Sequence, residues 1–181
     1  SFQLETTEQF RAHIAVALNV TPDHLDRHRT FENYAAAKGR LFASQQPDDV
    51  AVLNADDPVC VEYATLTQGR TSWFSLKRPV QPGLWLAGNR LLAGGEAFLD
   101  ASDIPLRGLH NIENVLAAAS AAFLVGASLP AIAAAVRTFP GVEHRLEFVR
   151  TWRGIDFYND SKATNVDATL KAVDAFRGPL W

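Results

Sequence analysis

The chain has 181 residues, 48% of them hydrophobic and 20% charged, with a net charge of −3, nine prolines, eleven glycines, one cysteine and no methionine. This composition excludes a disordered chain, because so much apolar content with so little net charge favours collapse, and the lone Cys60 excludes a disulfide framework. No apolar run approaches the roughly 18–20 residues that cross a bilayer, Glu5, Glu8, Arg11 and His13 are unlike a signal peptide, and no basic cluster could track a phosphate backbone.

These features set the expectation of a cytoplasmic protein that neither binds nucleic acid nor inserts into a membrane. Arginine outnumbers lysine thirteen to four, which makes each lysine worth inspecting. With no methionine and an abrupt start at Ser1, the chain is expected to be a piece of something longer.

In chain order, the apolar run at 13–20 predicts a buried strand ending in the turn residues Asn19, Thr21, Pro22 and Asp23. The spacing of Phe31, Tyr34, Ala35, Leu41 and Phe42 predicts a helix over 31–45, with Thr30 as its N-cap. VAVLN at 50–54 predicts a second short strand. Strand, loop, helix and strand in that order is the rhythm of an α/β domain with parallel pairing.

Residues 70–103 change character, with short apolar runs broken by Pro and Gly. LWLAGNRLLAG there predicts a hairpin turning at Gly88-Asn89. Helices are expected over 111–125 and 129–137, the first ended by Gly126 and the second opened by Pro130. Beyond Pro140 two strands about Arg153-Gly154 precede a helix capped by Asn165, and Leu180-Trp181 is expected to begin another strand. The expected division is 1–141 and 142–181, the second piece being too short to close an α/β core of its own.

Three polar clusters are candidates for chemistry. Asp23, His24, Asp26 and His28 follow a strand, at the end where open α/β sheets bind ligands. They could ligate a divalent ion or move protons, or they could form an exposed turn capping the next helix. Asn111 and Asn114, one helical turn apart at a helix start, could cap the helix or bind a polar planar group such as a nucleobase. The run from Tyr158 to Asn165 includes Asp160, Ser161, Lys162 and Thr164 and suits a phosphate or carboxylate. A strand-end turn with an N-cap accounts for Asn165 there but not for a lysine in the middle. Taken alone, Lys38 reads as a solvated helix lysine and Arg145 as a surface arginine.

Together the stretches SFQLE (1–5), LNVTPDHLDRH (18–28), YAAAK (34–38), LNADD (53–57), GLHNIENVLAA (108–118), HRLE (144–147) and NDSKATN (159–165) resemble the Mur ligase family. They run in the family's order, and SFQLE and NDSKATN are most similar to the members that add D-glutamate. The resemblance implies an α/β fold in which 1–141 is part of the central ATP-binding domain, with a mostly parallel sheet and flanking helices. Residues 142–181 would open a Rossmann-like C-terminal domain.

It further implies ATP-dependent joining of D-glutamate to UDP-N-acetylmuramoyl-L-alanine through an acyl phosphate, in peptidoglycan precursor synthesis by a monomeric enzyme. Glu5 would hold Mg2+ at the nucleotide phosphates, His24 would belong to a second Mg2+ site, and Lys38 would be a carbamylated lysine offering an anionic oxygen ligand. Asn111, Asn114, Arg145 and Asp160 would bind the nucleotide, while Lys162 and Thr164 would face the substrate and incoming D-glutamate. Because no G-x-x-x-x-G-K-[ST] phosphate loop occurs in these 181 residues, the piece itself is expected to be inactive. Two other readings are a metal-dependent hydrolase built on Asp23, His24, Asp26 and His28, and a noncatalytic nucleotide-binding module.

Overall fold

A computed structural model describes residues 1–181. A one-turn helix α1 (Phe2–Glu5) leads to β1 (Ile14–Ala17), the short α2 (Leu25–His28) and the longer α3 (Phe31–Ala43), whose N-cap Thr30 accepts from the Asn33 backbone N–H at 3.2 Å. Next come β2 (Val50–Asn54), α4 (Pro58–Glu62), β3 (Arg70–Ser75), β4 (Gly83–Ala87), β5 (Arg90–Ala93) and β6 (Glu96–Asp100). Helices α5 (Leu109–Leu124) and α6 (Leu129–Arg137) follow, and the chain ends in β7 (Glu147–Trp152), β8 (Ile155–Asn159) and α7 (Val166–Asp174).

The main sheet has the order β1-β2-β3-β4-β5-β6. Its first four strands are parallel, with Ile14 opposite Val50 and Val50 opposite Arg70, and the last three form an antiparallel meander. Every residue of β2 is buried, which explains its unbroken apolar sequence: a parallel strand inside a sheet covered on both faces has no solvent side. Its side chains alternate between two cores. Val52 joins Phe74, Leu84, Leu91 and Leu116 beneath α5 and α6, whereas Ala51 and Leu53 join Phe42, Cys60 and Tyr63 beneath α3 and α4.

β1 is shorter than the predicted strand over 13–20, and hydrogen bonding explains the early stop. Past Ala17 the backbone turns to side chains: the Asn54 amide donates to the Leu18 carbonyl at 2.7 Å, and the Val20 N–H donates to Asp57 at 3.1 Å. The liberated residues become a loop at the C-terminal edge of the sheet. At the opposite edge the Asp49 carboxylate, buried, accepts from Arg11, His13 and the Gln46 backbone N–H, and the Arg11 guanidinium holds it well below the usual carboxylate range.

Two further differences from the sequence expectations are local. β6 goes unpredicted because EAFLD carries no β-branched residue and follows the Gly94-Gly95 turn. No strand forms at Leu180-Trp181, where the chain is irregular. β7 and β8 pair only with each other, about a turn at Arg153-Gly154, and their outer residues Phe148, Trp152 and Ile155 are exposed.

Two measurements check this account. A Cβ on Gly83 would lie 1.9 Å from the Trp73 carbonyl oxygen, whereas one on Gly88, at φ +59, would meet open space. Gly88→Ala is expected to cost about 1–2 kcal/mol, the strain of a left-handed non-glycine residue, and Gly83→Ala clearly more, read as shifts in the urea midpoint. Burial pushes the Glu113 carboxyl above its ordinary 4.5, opposed by a hydrogen bond from Asn54. The folded chain therefore holds that proton more tightly than the unfolded one, and this contribution to stability is lost as pH rises from 4.5 through the raised folded value. Glu113→Gln should raise the melting midpoint at pH 7, with the gain fading below pH 4.5.

Candidate functional site

A cleft of about 460 Å³ opens where the loop after β1, the inner face of α3, the start of α5 and the C-terminal segment from 145 to 172 converge. Four local devices shape it. The Asn54 side chain, 2% exposed, donates to Leu18 and to Glu113 at 2.8 Å and accepts from the Asp56 N–H at 2.9 Å, fastening the loop after β1 to β2 and α5. Asp56 in turn accepts from Ser75 and the Leu76 N–H at the end of β3. α5 begins after Gly108 at φ +91, and the Asn111 amide donates to the Arg107 carbonyl at 2.7 Å. In the C-terminal segment, the Asp160 carboxylate accepts from the Leu146 N–H at 3.1 Å and the Lys162 N–H donates to the His144 carbonyl at 3.0 Å, locking the HRLE and NDSK stretches together.

The residues singled out from sequence fall into four places. Lys38, Asn114, Arg145, Asp160 and Lys162 line the cleft. Asn111 is buried behind it, its side-chain oxygen accepting from the Asn114 amide at 3.3 Å, so that it orients Asn114. Thr164 lies on a separate shallow hollow beside Val166 and Leu170.

Glu5 and His24 sit at the rim, on an aromatic patch in which the Phe2 ring stacks on His28 at 5.7 Å and lies 5.0 Å from His24. Glu5 contacts Arg27 at 3.0 Å and His28 at 3.1 Å, and the Arg27 guanidinium lowers its carboxyl below the ordinary value. His24 adopts a left-handed backbone conformation, φ 52, supported by its N–H donating to Asp23 at 2.9 Å. Asp23, His24, Asp26 and His28 supply no three ligands gathered at metal distance. The one such group is His13, Asp48 and Asp49 at the other edge of the sheet, already held by Arg11.

A Glu5 carboxylate and a carbamate on Lys38 would supply the oxygen donors that a hard divalent cation takes, with the His24 imidazole as a nitrogen donor beside them. In the structure Arg27 occupies Glu5, and the Lys38 ammonium lies 5.0 Å from the Tyr34 ring centre.

The electrostatics of the cleft are uneven. Lys171 pairs with Asp167 at 2.9 Å, but Lys38, Arg145 and Lys162 make no side-chain ion pair or hydrogen bond. Three unpaired cations facing one cavity make a receptor for a polyanion, because their charges are attracted to it without first leaving a protein partner. Burial and the nearby Lys171 and Arg145 lower the His110 pKa and favour its neutral form. Glu113, Asp167 and Lys171 also line the cleft and escaped the sequence reading. Being one of only four lysines was the signal for Lys171, while Glu113 is masked by the apolar helix around it.

Comparison with known proteins agrees with this architecture. Residues 1–122 match the Mur ligase middle domain. The chain is 65% identical over its whole length to a UDP-N-acetylmuramoylalanine–D-glutamate ligase of Solibacter usitatus, and 55% identical over 99% of its length to one of Acidobacterium capsulatum. It spans about two fifths of those relatives, 41% and 40% of their lengths.

Among solved structures, a pseudomurein peptide ligase type C from Methanothermus fervidus superposes with a TM-score of 0.76 over 92% of this chain and 41% of that one, at 18% identity. MurF from Acinetobacter baumannii gives 0.74 over 89% and 36%, at 21% identity. These two likenesses establish the fold, and the match of the middle domain to two thirds of the sequence establishes the kinship: the chain belongs to the Mur ligase family.

Proposed function

We infer that this chain is the later part of the central ATP-binding domain (1–141) and the opening of the C-terminal domain (142–181) of an ADP-forming, cytoplasmic ligase. Its full-length form joins D-glutamate to UDP-N-acetylmuramoyl-L-alanine, the reaction for which the relatives at 65% and 55% identity are named. The observation that carries the reading is the trio of unpaired cations, Lys38, Arg145 and Lys162, around one cleft at the C-terminal edge of a parallel sheet. A reaction between a nucleotide, a second phosphate-bearing substrate and an amino diacid needs cations that are free to meet those anions.

In that reaction a carboxylate oxygen of UDP-N-acetylmuramoyl-L-alanine attacks the γ-phosphorus of ATP and the bond to ADP breaks, leaving an acyl phosphate. The D-glutamate amine then attacks the acyl carbon, the tetrahedral intermediate expels phosphate, and a proton leaves the nitrogen. Phosphoryl transfer of this kind depends on positioning and charge neutralisation. Asn114, oriented by Asn111, is the proposed partner of the adenine, and Arg145 and Asp160 are the proposed nucleotide contacts from the C-terminal side. Lys162 and Thr164 belong to the segment that meets the substrate and the incoming amino acid. Glu5, His24 and a carbamylated Lys38 are the groups proposed to hold Mg2+, which when bound neutralises phosphate charge. Closing the C-terminal piece over the cleft excludes water from the acyl phosphate.

The test is product formation by the full-length protein: ADP and phosphate should appear only when UDP-N-acetylmuramoyl-L-alanine and D-glutamate are both present. Equal turnover with L-lysine or meso-diaminopimelate would overturn the assignment. Lys38→Ala should lose activity by about 10²–10³-fold, with partial recovery in added short carboxylic acids that replace the carbamate oxygens. Wild-type turnover in that variant would remove Lys38 from the site.

A further inference from the structure

Asn165 makes two hydrogen bonds in different directions. Its side-chain oxygen accepts from the Ala168 N–H at 2.8 Å, capping α7, and its amide donates to Asp23 at 3.0 Å across a separation of 142 residues. Asp23 is also doubly engaged. One oxygen accepts from the His24 N–H at 2.9 Å and the other, which receives Asn165, lies 3.7 Å from the His24 ring.

The left-handed backbone of His24 is thus fixed by the carboxylate that receives Asn165. On the other side, Asn165 directly follows the stretch carrying Lys162 and Thr164. A single polar contact therefore joins the rim histidine to the segment that meets the substrate. The Arg107 guanidinium adds a neighbouring contact, lying 5.4 Å from the Tyr158 ring and 5.6 Å from Phe176, but a cation over aromatic rings sets no donor-to-acceptor direction.

We propose that Asp23 and Asn165 form an interdomain clasp and are positioning residues for the ligase reaction: Asn165 senses closure of the C-terminal piece, and Asp23 converts it into the placement of His24. This rests on the ligase reading above. The clasp has a polarity, an amide donor on α7 and a carboxylate acceptor on the loop after β1, and the polarity makes it testable by exchange.

Asn165→Asp keeps an N-cap oxygen for Ala168 but sets two carboxylates against each other. Asp23→Asn keeps an acceptor for His24 but sets two amides against each other. The double variant restores one donor and one acceptor with the direction reversed. In the full-length protein, the distance between spin labels placed at exposed Glu62 and Asp174 reads closure without reference to catalysis.

Each single variant should broaden and lengthen that distance and lower kcat about 10–100-fold, the range for a hydrogen bond to a charged group, leaving KM for ATP within about threefold. The double variant should recover both readouts. Wild-type distances in the single variants, or a double variant as open as they are, overturn the clasp. If the wild-type protein shows no ligase turnover while the distances respond as stated, the ligase reading fails and the clasp stands.

Discussion

The side chain of Asn54 is the point on which the geometry of the cleft depends. It sits at the last position of the fully buried β2, where an unpaired amide would carry a large desolvation cost, and it satisfies that amide with three partners from three separate elements. One bond draws the loop after β1 away from the sheet, one sets the turn into α4, and one holds Glu113 on the first turns of α5. The floor and two walls of the cleft are thereby referenced to the most rigid strand of the fold. The LNADD stretch follows from the same logic: Asp56 ties the turn to the end of β3, and Asp57 both caps α4 and holds Val20. The acidic residues of this stretch are the stitching that holds the edge of the cleft together.

What remains at that edge is an excess of unpaired charge. Some cations are neutralised within the chain, as Arg11 is by Asp48 and Asp49 and Arg137 by Asp103. Lys38, Arg145 and Lys162 have no ion pair, and they face one cleft from both pieces of the chain. On the proposed function, a bound polyanion would bridge cations from both pieces, supplementing the directional bond between Asp23 and Asn165.

Much of the fold was legible because the signals were local. VAVLN spans β2 to the residue, Pro130 opens α6, and Thr30 and Asn165 cap the helices they precede. Where local signals compete with distant partners the reading slips. The apolar run at 13–20 continues past the point where Asn54 and Asp57 take its backbone groups, and EAFLD becomes a strand because β5 lies beside it. The family stretches placed Lys38, Asn114, Arg145, Asp160 and Lys162 as candidates, and five such positions share one cleft. Glu113 and Lys171 had no motif to mark them, and the partnership of Asp23 with Asn165 lies beyond any window of sequence.

The strand pairings also imply an order in time. β7 and β8 meet across a two-residue turn, so their hairpin needs little loop entropy and closes on the microsecond scale typical of hairpins. The parallel pairs join residues as far apart as Ile14 and Val50, or Val50 and Arg70, and such non-local contacts form slowly. The hairpin of the C-terminal piece is consequently expected to form before the main sheet. The contact between Asp23 and Asn165, spanning 142 residues, is among the last to be made, a seal on a structure already folded on both sides.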